Sequence, residues 1–279
     1  MTDRTLVVPG GHQVACAEYG APDGSPVLYL HGAGSNRLEG AAFDAPARAQ
    51  GIRLVALDRP GRSLPLPPTA SPLAYAAEVA AVADHLGIGR FVVAGQSNGG
   101  MFACAVAHAL GDRVSAVVPI NPTVPAGDPA VRAVLDRSGR LAYNLIRRFP
   151  GLMSRAVSGA GLKEPTGRRA AHDPDAGLWQ DPLIGAVLRD VAREQTTVDY
   201  LRNELDLGIV HPWDFDHLAL AQPVEFFMGE RDGGLPYVRV WSEGLPDSRV
   251  HVVPGGHIAH LAPAAADELV ALLAGSPAT

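Results

Sequence analysis

The stretch Val93-Ala94-Gly95-Gln96-Ser97-Asn98-Gly99-Gly100 decides how this chain is read. An apolar run, Phe91 to Ala94, stops at a glycine. A serine follows, with Gly95 and Gly99 two residues to either side, and then an alanine-rich segment with helical character runs to about Leu110. That is a strand, a sharp turn and a helix, with a serine at the apex. Such a turn forces the serine into a strained backbone conformation, tolerable only if its neighbours lack bulk, hence the glycines. The strain lifts the hydroxyl clear of the sheet edge. Below it lies a helix N-terminus, whose free N–H groups and dipole favour developing negative charge. A bare G-x-S-x-G also arises by chance; the strand before this one and the helix after it supply the context the motif demands.

Working outward, Val27 to Leu30 and Arg53 to Leu57 are apolar on both faces, the pattern of strands covered by helices on each side of a parallel sheet. Residues 38–50 predict a helix ending at Gly51. Pro72 to Leu86 predicts another, with Ser71 as N-cap, Pro72 at the first helical position and Gly87 just past the end. Val114 to Ile120 is a further apolar strand after the elbow helix. This alternation argues an α/β protein with a doubly wound, mostly parallel sheet, and ligands at the carboxyl ends of its strands. Ahead of it, Thr5 to Val8 and His12 to Tyr19 predict a hairpin turning at Gly10-Gly11, and Pro65 to Pro72 a surface loop.

A second glycine-rich loop, His31-Gly32-Ala33-Gly34-Ser35-Asn36, follows the strand at Val27 to Leu30. If Ala33 donates its backbone N–H beside that of Asn98, the pair cradles an oxyanion opposite Ser97. His31 is expected to hold this loop by hydrogen bonds. Asp58 and Arg59 are expected to brace a turn fixed by Pro60 and Gly61.

The net charge of −6 provides no basic face for nucleic acid and no polybasic segment for a lipid surface. No apolar run reaches membrane-spanning length, and Met1 to Gly11 has no apolar h-region, so a cytoplasmic protein is expected. Cys16 and Cys104 stand far apart and read as reduced, small core residues. The remaining histidines have no companion at metal-ligand spacing, so neither a metal nor another cofactor is expected.

In these motifs the chain resembles the α/β-hydrolase fold superfamily, in its capped serine esterase and lipase-like members. The likeness rests on H-G-x-G at His31 to Gly34, D-R-P-G at Asp58 to Gly61 and G-Q-S-N-G-G at Gly95 to Gly100. It continues with G-E-R-D-G-G-L-P at Gly229 to Pro236 and P-G-G-H at Pro254 to His257. Five motifs in the family's order make it specific, and it covers most of the chain outside residues 122–217. There are two departures. Arg62 directly precedes Ser63 where a further glycine is usual, so that loop is shorter or differently placed; and Asn98 follows the nucleophile where apolar residues are common.

The resemblance implies a core domain of residues 1–121 and 218–279 with a helical cap, residues 122–217, inserted in it. Asp128 to Arg148 and Pro182 to Leu207 have helical spacing there. A cap excludes water from the site, which suits an uncharged ester. Its large apolar side chains include Trp179, Trp213, Tyr143, Phe149 and Met153. About a third of them are expected to line the substrate pocket, because aromatic residues at helical spacing more often pack a core.

The strand rhythm resumes at Val224 to Met228, followed by Asp232, and at Arg249 to Val253, followed by His257. The resemblance assigns Ser97 as nucleophile, His257 as base and Asp232 as acid, with Glu230 and His260 as nearby rivals. It implies acyl transfer through an acyl-enzyme on Ser97, with a small-molecule ester, thioester or lactone as substrate. A C–C bond hydrolase or an aminopeptidase with the same triad is the nearer alternative. A non-hydrolytic member that binds or rearranges a small molecule is the further one, since fold alone does not fix chemistry. Epoxide hydrolysis and dehalogenation are disfavoured, because relatives with those activities carry aspartate where Ser97 stands.

Overall fold

The strands are β1 (Thr2–Val7), β2 (Gln13–Gly20), β3 (Ser25–Leu30), β4 (Ile52–Leu57), β5 (Phe91–Gln96), β6 (Val114–Ile120), β7 (Val224–Gly229) and β8 (Ser248–Val253). They form one sheet in the order β1-β2-β4-β3-β5-β6-β7-β8. The β1–β2 and β2–β4 pairs are antiparallel and all later pairs parallel. The structure is a computed structural model and describes residues 2–8, 11, 13–59, 61–62, 71–160, 163–193 and 197–275. The helices are α1 (Asp44–Ala49), α2 (Pro72–His85), α3 (Asn98–Leu110), α4 (Pro129–Val134), α5 (Arg137–Arg148) and α6 (Pro150–Ala160). They continue with α7 (Gly167–His172), α8 (Pro182–Arg193), α9 (Val198–Leu205), α10 (Leu235–Glu243) and α11 (Pro263–Gly275). No helix among the described residues is long and apolar enough to cross a membrane.

The doubly apolar strands are buried on both faces. Leu28, Leu30, Val55 and Val93 pack with α2 and α3 on one side. Val27, Tyr29, Leu54 and Val92 pack with α1 and α11 on the other. Each fully buried aliphatic side chain of this kind contributes about 1.5–3 kcal/mol. Cys16 and Cys104 are free thiols within the first of these cores, and burial raises the Cys16 thiol to about 11.

The α2 end signals read correctly: Ser71 Oγ accepts the Ala74 N–H at 3.0 Å, and Gly87 lies at φ 68°. The first hairpin differs in register. β1 starts at Thr2 rather than Thr5, and pairs Val7 with Gln13. Of its expected turn, Gly11 is described and donates to the Val8 carbonyl at 3.0 Å, whereas Gly10 and His12 lie outside the described residues, as do Pro60, Ser63 and nearly all of the 65–72 loop.

Residues 38–50 do not make one helix. A 3-10 turn, Arg37–Phe43, is capped by Asn36 and gives way to α1. Pro46 lacks the N–H that would carry the hydrogen-bond ladder across the junction.

Between β6 and β7 the chain inserts α4 to α9. The expected helix from Asp128 to Arg148 is broken at Leu135, because two aspartates each start a helix. Asp128 Oδ1 accepts the Ala130 N–H at 2.7 Å, and Asp136 Oδ1 that of Gly139 at 2.6 Å. The Pro182 to Leu207 helix is likewise two, α9 restarting where Thr197 Oγ1 accepts the Tyr200 N–H at 3.1 Å. It runs on into a π-turn, Asp206–Val210.

Part of this insertion belongs to the core. α8 packs against Arg37–Phe43 and against the 3-10 turn Ala176–Gln180, and Trp179, Ile184 and Leu188 share a buried cluster with Tyr29, Phe43 and Leu261. Trp179 is therefore a core residue and not the pocket residue expected, since helical spacing cannot say which neighbour a face meets.

Candidate active site

β5 ends in a turn that leaves no room for side chains. A Cβ on Gly95 would sit 2.1 Å from the Gly99 carbonyl oxygen, and one on Gly99 would sit 2.1 Å from that of Leu30. Between them Ser97 adopts φ 54°, ψ −122°, a strained conformation for a residue with a side chain. It is held by its own backbone. Its N–H donates to Ile120 at 2.9 Å, and its carbonyl accepts from Gly100 at 2.9 Å and Thr123 at 3.0 Å. Asn98 opens α3, so its N–H is one of the helix's orphan donors.

The loop after β3 is fixed by His31, which has no exposed surface. Its Nε2 accepts the Arg59 N–H at 3.2 Å, which sets the tautomer, so Nδ1 donates to the Gly32 carbonyl at 2.8 Å. That carbonyl also accepts from Ser35 at 3.0 Å. The Ala33 N–H lies inside this turn and has no hydrogen-bond partner among the described residues. Asp58 and Arg59 brace the same loop: Asp58 accepts from the Arg37 N–H at 2.7 Å, and Arg59 Nε donates to the His31 carbonyl at 2.9 Å.

Burial, followed by the nearby charges of Arg59, Arg62 and Arg37, holds the His31 imidazole well below its ordinary range. The folded protein thus keeps His31 neutral where the unfolded chain would take up a proton, below about pH 6.5. With more protons bound in the unfolded state, stability falls as pH drops through that range. His31→Gln should flatten the decline in Tm between about pH 7.5 and 5, as read by calorimetry. A slope identical to that of the unaltered protein would contradict this reading.

On the other side of the elbow, the His257 Nδ1 lies 2.6 Å from Asp232 Oδ2. The other Asp232 oxygen accepts the Gly234 N–H at 2.7 Å. The Asp232 side chain is 8% exposed and the His257 ring 54%. Neither rival takes these places. Glu230 is exposed beside Arg231, and His260 is fully buried, its Nε2 3.3 Å from Glu39 and 3.4 Å from Tyr29. The Ser97 hydroxyl makes no hydrogen bond to the His257 ring, although Gln96, one residue before it, donates to the His257 carbonyl at 3.3 Å.

Four groups hydrogen-bonded to the loops around this site escaped the sequence reading. Gln96 is the first. Asn121, at φ 40°, donates to the His257 carbonyl at 2.9 Å and accepts the Gly229 N–H at 2.8 Å, so it ties the histidine turn to the start of the aspartate loop. Its position one residue past a strand end was the only signal. The other two come from the insertion. Asp175 accepts the N–H groups of Gly256 at 2.7 Å and Ile258 at 2.9 Å. Glu204 on α9 accepts from Arg59 Nη1 at 2.6 and 2.7 Å and from Asn98 Nδ2 at 2.9 Å, while Thr123 donates to Asn98 Oδ1. The side chain of Asn98 is thus engaged with the insertion.

Among the pocket candidates, Tyr143 and Trp213 line a cavity of about 310 Å³ between α5, the π-turn and the segment after β6. Gly208 forms part of its wall and stands against the Asn98 amide. Phe149 is half exposed under the Arg148 guanidinium, and Met153 is half buried on α6; neither lines this cavity.

Comparison with known proteins agrees with this architecture. A family model described as alpha/beta hydrolase fold matches residues 25–263. The chain is similar in structure to a thermophilic esterase from Thermogutta terrifontis, at TM-score 0.69 and 20% identity, over 98% of this chain and 97% of the other. It is similar to an enol-lactonase from Burkholderia xenovorans LB400, at TM-score 0.69 and 17% identity, over 97% and 99%. An alpha/beta hydrolase fold protein from Nakamurella multipartita matches at TM-score 0.68 and 22% identity, over 99% and 100%.

Proposed function

The chain belongs to the alpha/beta hydrolase fold family, and from that premise we propose that it is a serine hydrolase cleaving an ester, thioester or lactone of a small, largely apolar molecule. One observation carries this reading. A serine on a strained elbow adjoins a glutamine bonded to the turn of His257, and that histidine is itself bonded at 2.6 Å to a buried aspartate side chain. Asp232 holds the His257 ring with Nε2 free to accept a proton. His257 then takes the Ser97 proton as the hydroxyl attacks the carbonyl carbon. The tetrahedral oxyanion is met by the N–H groups of Ala33 and Asn98. His257 returns the proton to the leaving group, and water activated by the same base releases the acyl-enzyme. Structural relatives described as an esterase and an enol-lactonase support this reaction class.

The insertion serves as the cap in this reading, and the cavity lined by Tyr143, Trp213 and Ile209 takes the apolar part of the substrate. Turnover of p-nitrophenyl acetate with an initial burst of p-nitrophenol is expected; a folded protein that shows no turnover of this ester, its butanoate homologue or a simple lactone would overturn the proposal. Ile209→Trp should raise KM for p-nitrophenyl octanoate about tenfold while sparing the acetate, since only the longer chain needs the cavity. Equal effects on both esters would place the acyl chain elsewhere.

A further inference from the structure

The turn that carries His257 is shaped from outside its own strand-helix unit. Asp175, in the insertion, has a side chain that is nearly buried, and both carboxylate oxygens are used on this turn. Oδ1 accepts the Gly256 N–H at 2.7 Å and Oδ2 the Ile258 N–H at 2.9 Å. These are the two residues flanking His257. The amides of Asn121 and Gln96 donate to the His257 carbonyl at 2.9 and 3.3 Å.

The turn is also cut to receive that carboxylate. A Cβ on Gly256 would lie 2.6 Å from Pro174 Cγ and 2.8 Å from Asp175 Oδ2, and Gly255 sits at φ 120° with its Cβ position 3.1 Å from Asp175 Oδ1. The two glycines of the P-G-G-H motif therefore do more than turn the chain; they make the seat in which Asp175 lies.

We infer that Asp175 is a positioning residue for His257, so that the insertion takes part in the reaction by clamping the histidine turn as well as by covering the site. This rests on the reading of Ser97, His257 and Asp232 as the catalytic relay. Two charge-assisted bonds of fixed direction hold the peptides on each side of the histidine. Through them the ring stays bonded to Asp232, the place from which the proposed relay has it serve Ser97. The His257 ring itself is more than half exposed, with little packing of its own to restrain it. Loss of the clamp frees the turn, and a misplacement of about 1 Å costs on the order of 100-fold in rate.

The test is a double-mutant cycle on the full chain, read as p-nitrophenyl acetate hydrolysis. Asp175→Ala is expected to lower kcat about 100-fold with KM changed less than about threefold. Asp175→Asn keeps one acceptor and should lose about tenfold, which preserves the test if the alanine variant does not fold. In a His257→Ala background either change should have almost no further effect, because there is no imidazole left to place. Losses that multiply in the two backgrounds, or a kcat within twofold of the unaltered protein in both variants, would overturn the inference. The two readings fail separately. If His257→Ala itself retains full activity, the relay is wrong; if it is inactive while Asp175→Ala and Asp175→Asn are not impaired, only the clamp is wrong.

Discussion

Ser97→Ala should lower kcat on the order of 10⁵–10⁶-fold toward p-nitrophenyl acetate, the loss seen when a nucleophile is removed from a working triad. The reason lies in how the group acts. A serine hydroxyl is a weak nucleophile until an imidazole removes its proton, so the covalent route closes entirely when the hydroxyl goes. What remains is the catalysis that binding and the proposed oxyanion donors, the Ala33 and Asn98 N–H groups, provide alone. The fold should hardly notice. Ser97 is positioned by its backbone bonds to Ile120, Gly100 and Thr123, and alanine keeps all three. Unchanged melting with activity lost is therefore the expected pair of results. A Ser97→Ala variant that keeps a tenth of the activity would remove Ser97 as the nucleophile.

Glu204→Ala should instead act on stability. The Arg59 guanidinium is fully buried and its Nη1 faces the Glu204 carboxylate at 2.6 Å. Deleting the carboxylate strands the guanidinium charge away from water, while the Asn98 amide keeps the Glu204 backbone carbonyl as an acceptor at 2.9 Å. Breaking a buried pair from one side costs about 3–5 kcal/mol. At about 2–4 °C per kcal/mol for a chain approaching this size, Tm should fall by roughly 6–20 °C. Replacing both partners by apolar residues, Arg59→Met with Glu204→Leu, should recover much of that loss, because the pair's own desolvation penalty goes with it. A Glu204→Ala variant that melts within about 2 °C of the original would show that the pair contributes little.

The parts of the molecule that could be read from sequence share a physical trait: their signal is local. The elbow announces itself because Gly95 and Gly99 are required within two residues of Ser97 by contacts 2.1 Å from their absent Cβ atoms. Strands β3, β4 and β5 were visible as apolar runs because helices cover both of their faces. α2 was bracketed by a cap that lies next to it in the chain.

What escaped is what depends on distant partners. Asp175 reads as one more aspartate in a charged loop, and only the fold shows that it meets Gly256 and Ile258, more than 80 residues away. Glu204 looks like an ordinary helix residue until α9 is laid against Arg59 and Asn98. Trp179 has the size and spacing of a pocket residue, yet its neighbours Ile184 and Leu188 carry it into the core. The split of the expected helix at Leu135 was a different kind of miss, since Asp128 and Asp136 are caps that local reading could have weighed.

The proposed reaction depends on Ser97 being a nucleophile activated by His257. Its most direct test is treatment of the full chain with a p-nitrophenyl phosphonate, followed by mass measurement of the intact protein and of its peptides. The expected result is one phosphonyl group per chain, on Ser97, with labelling slowed at least about 100-fold in a folded His257→Ala variant. A folded protein that takes up no label at Ser97, or takes it up equally fast without the imidazole, would contradict it.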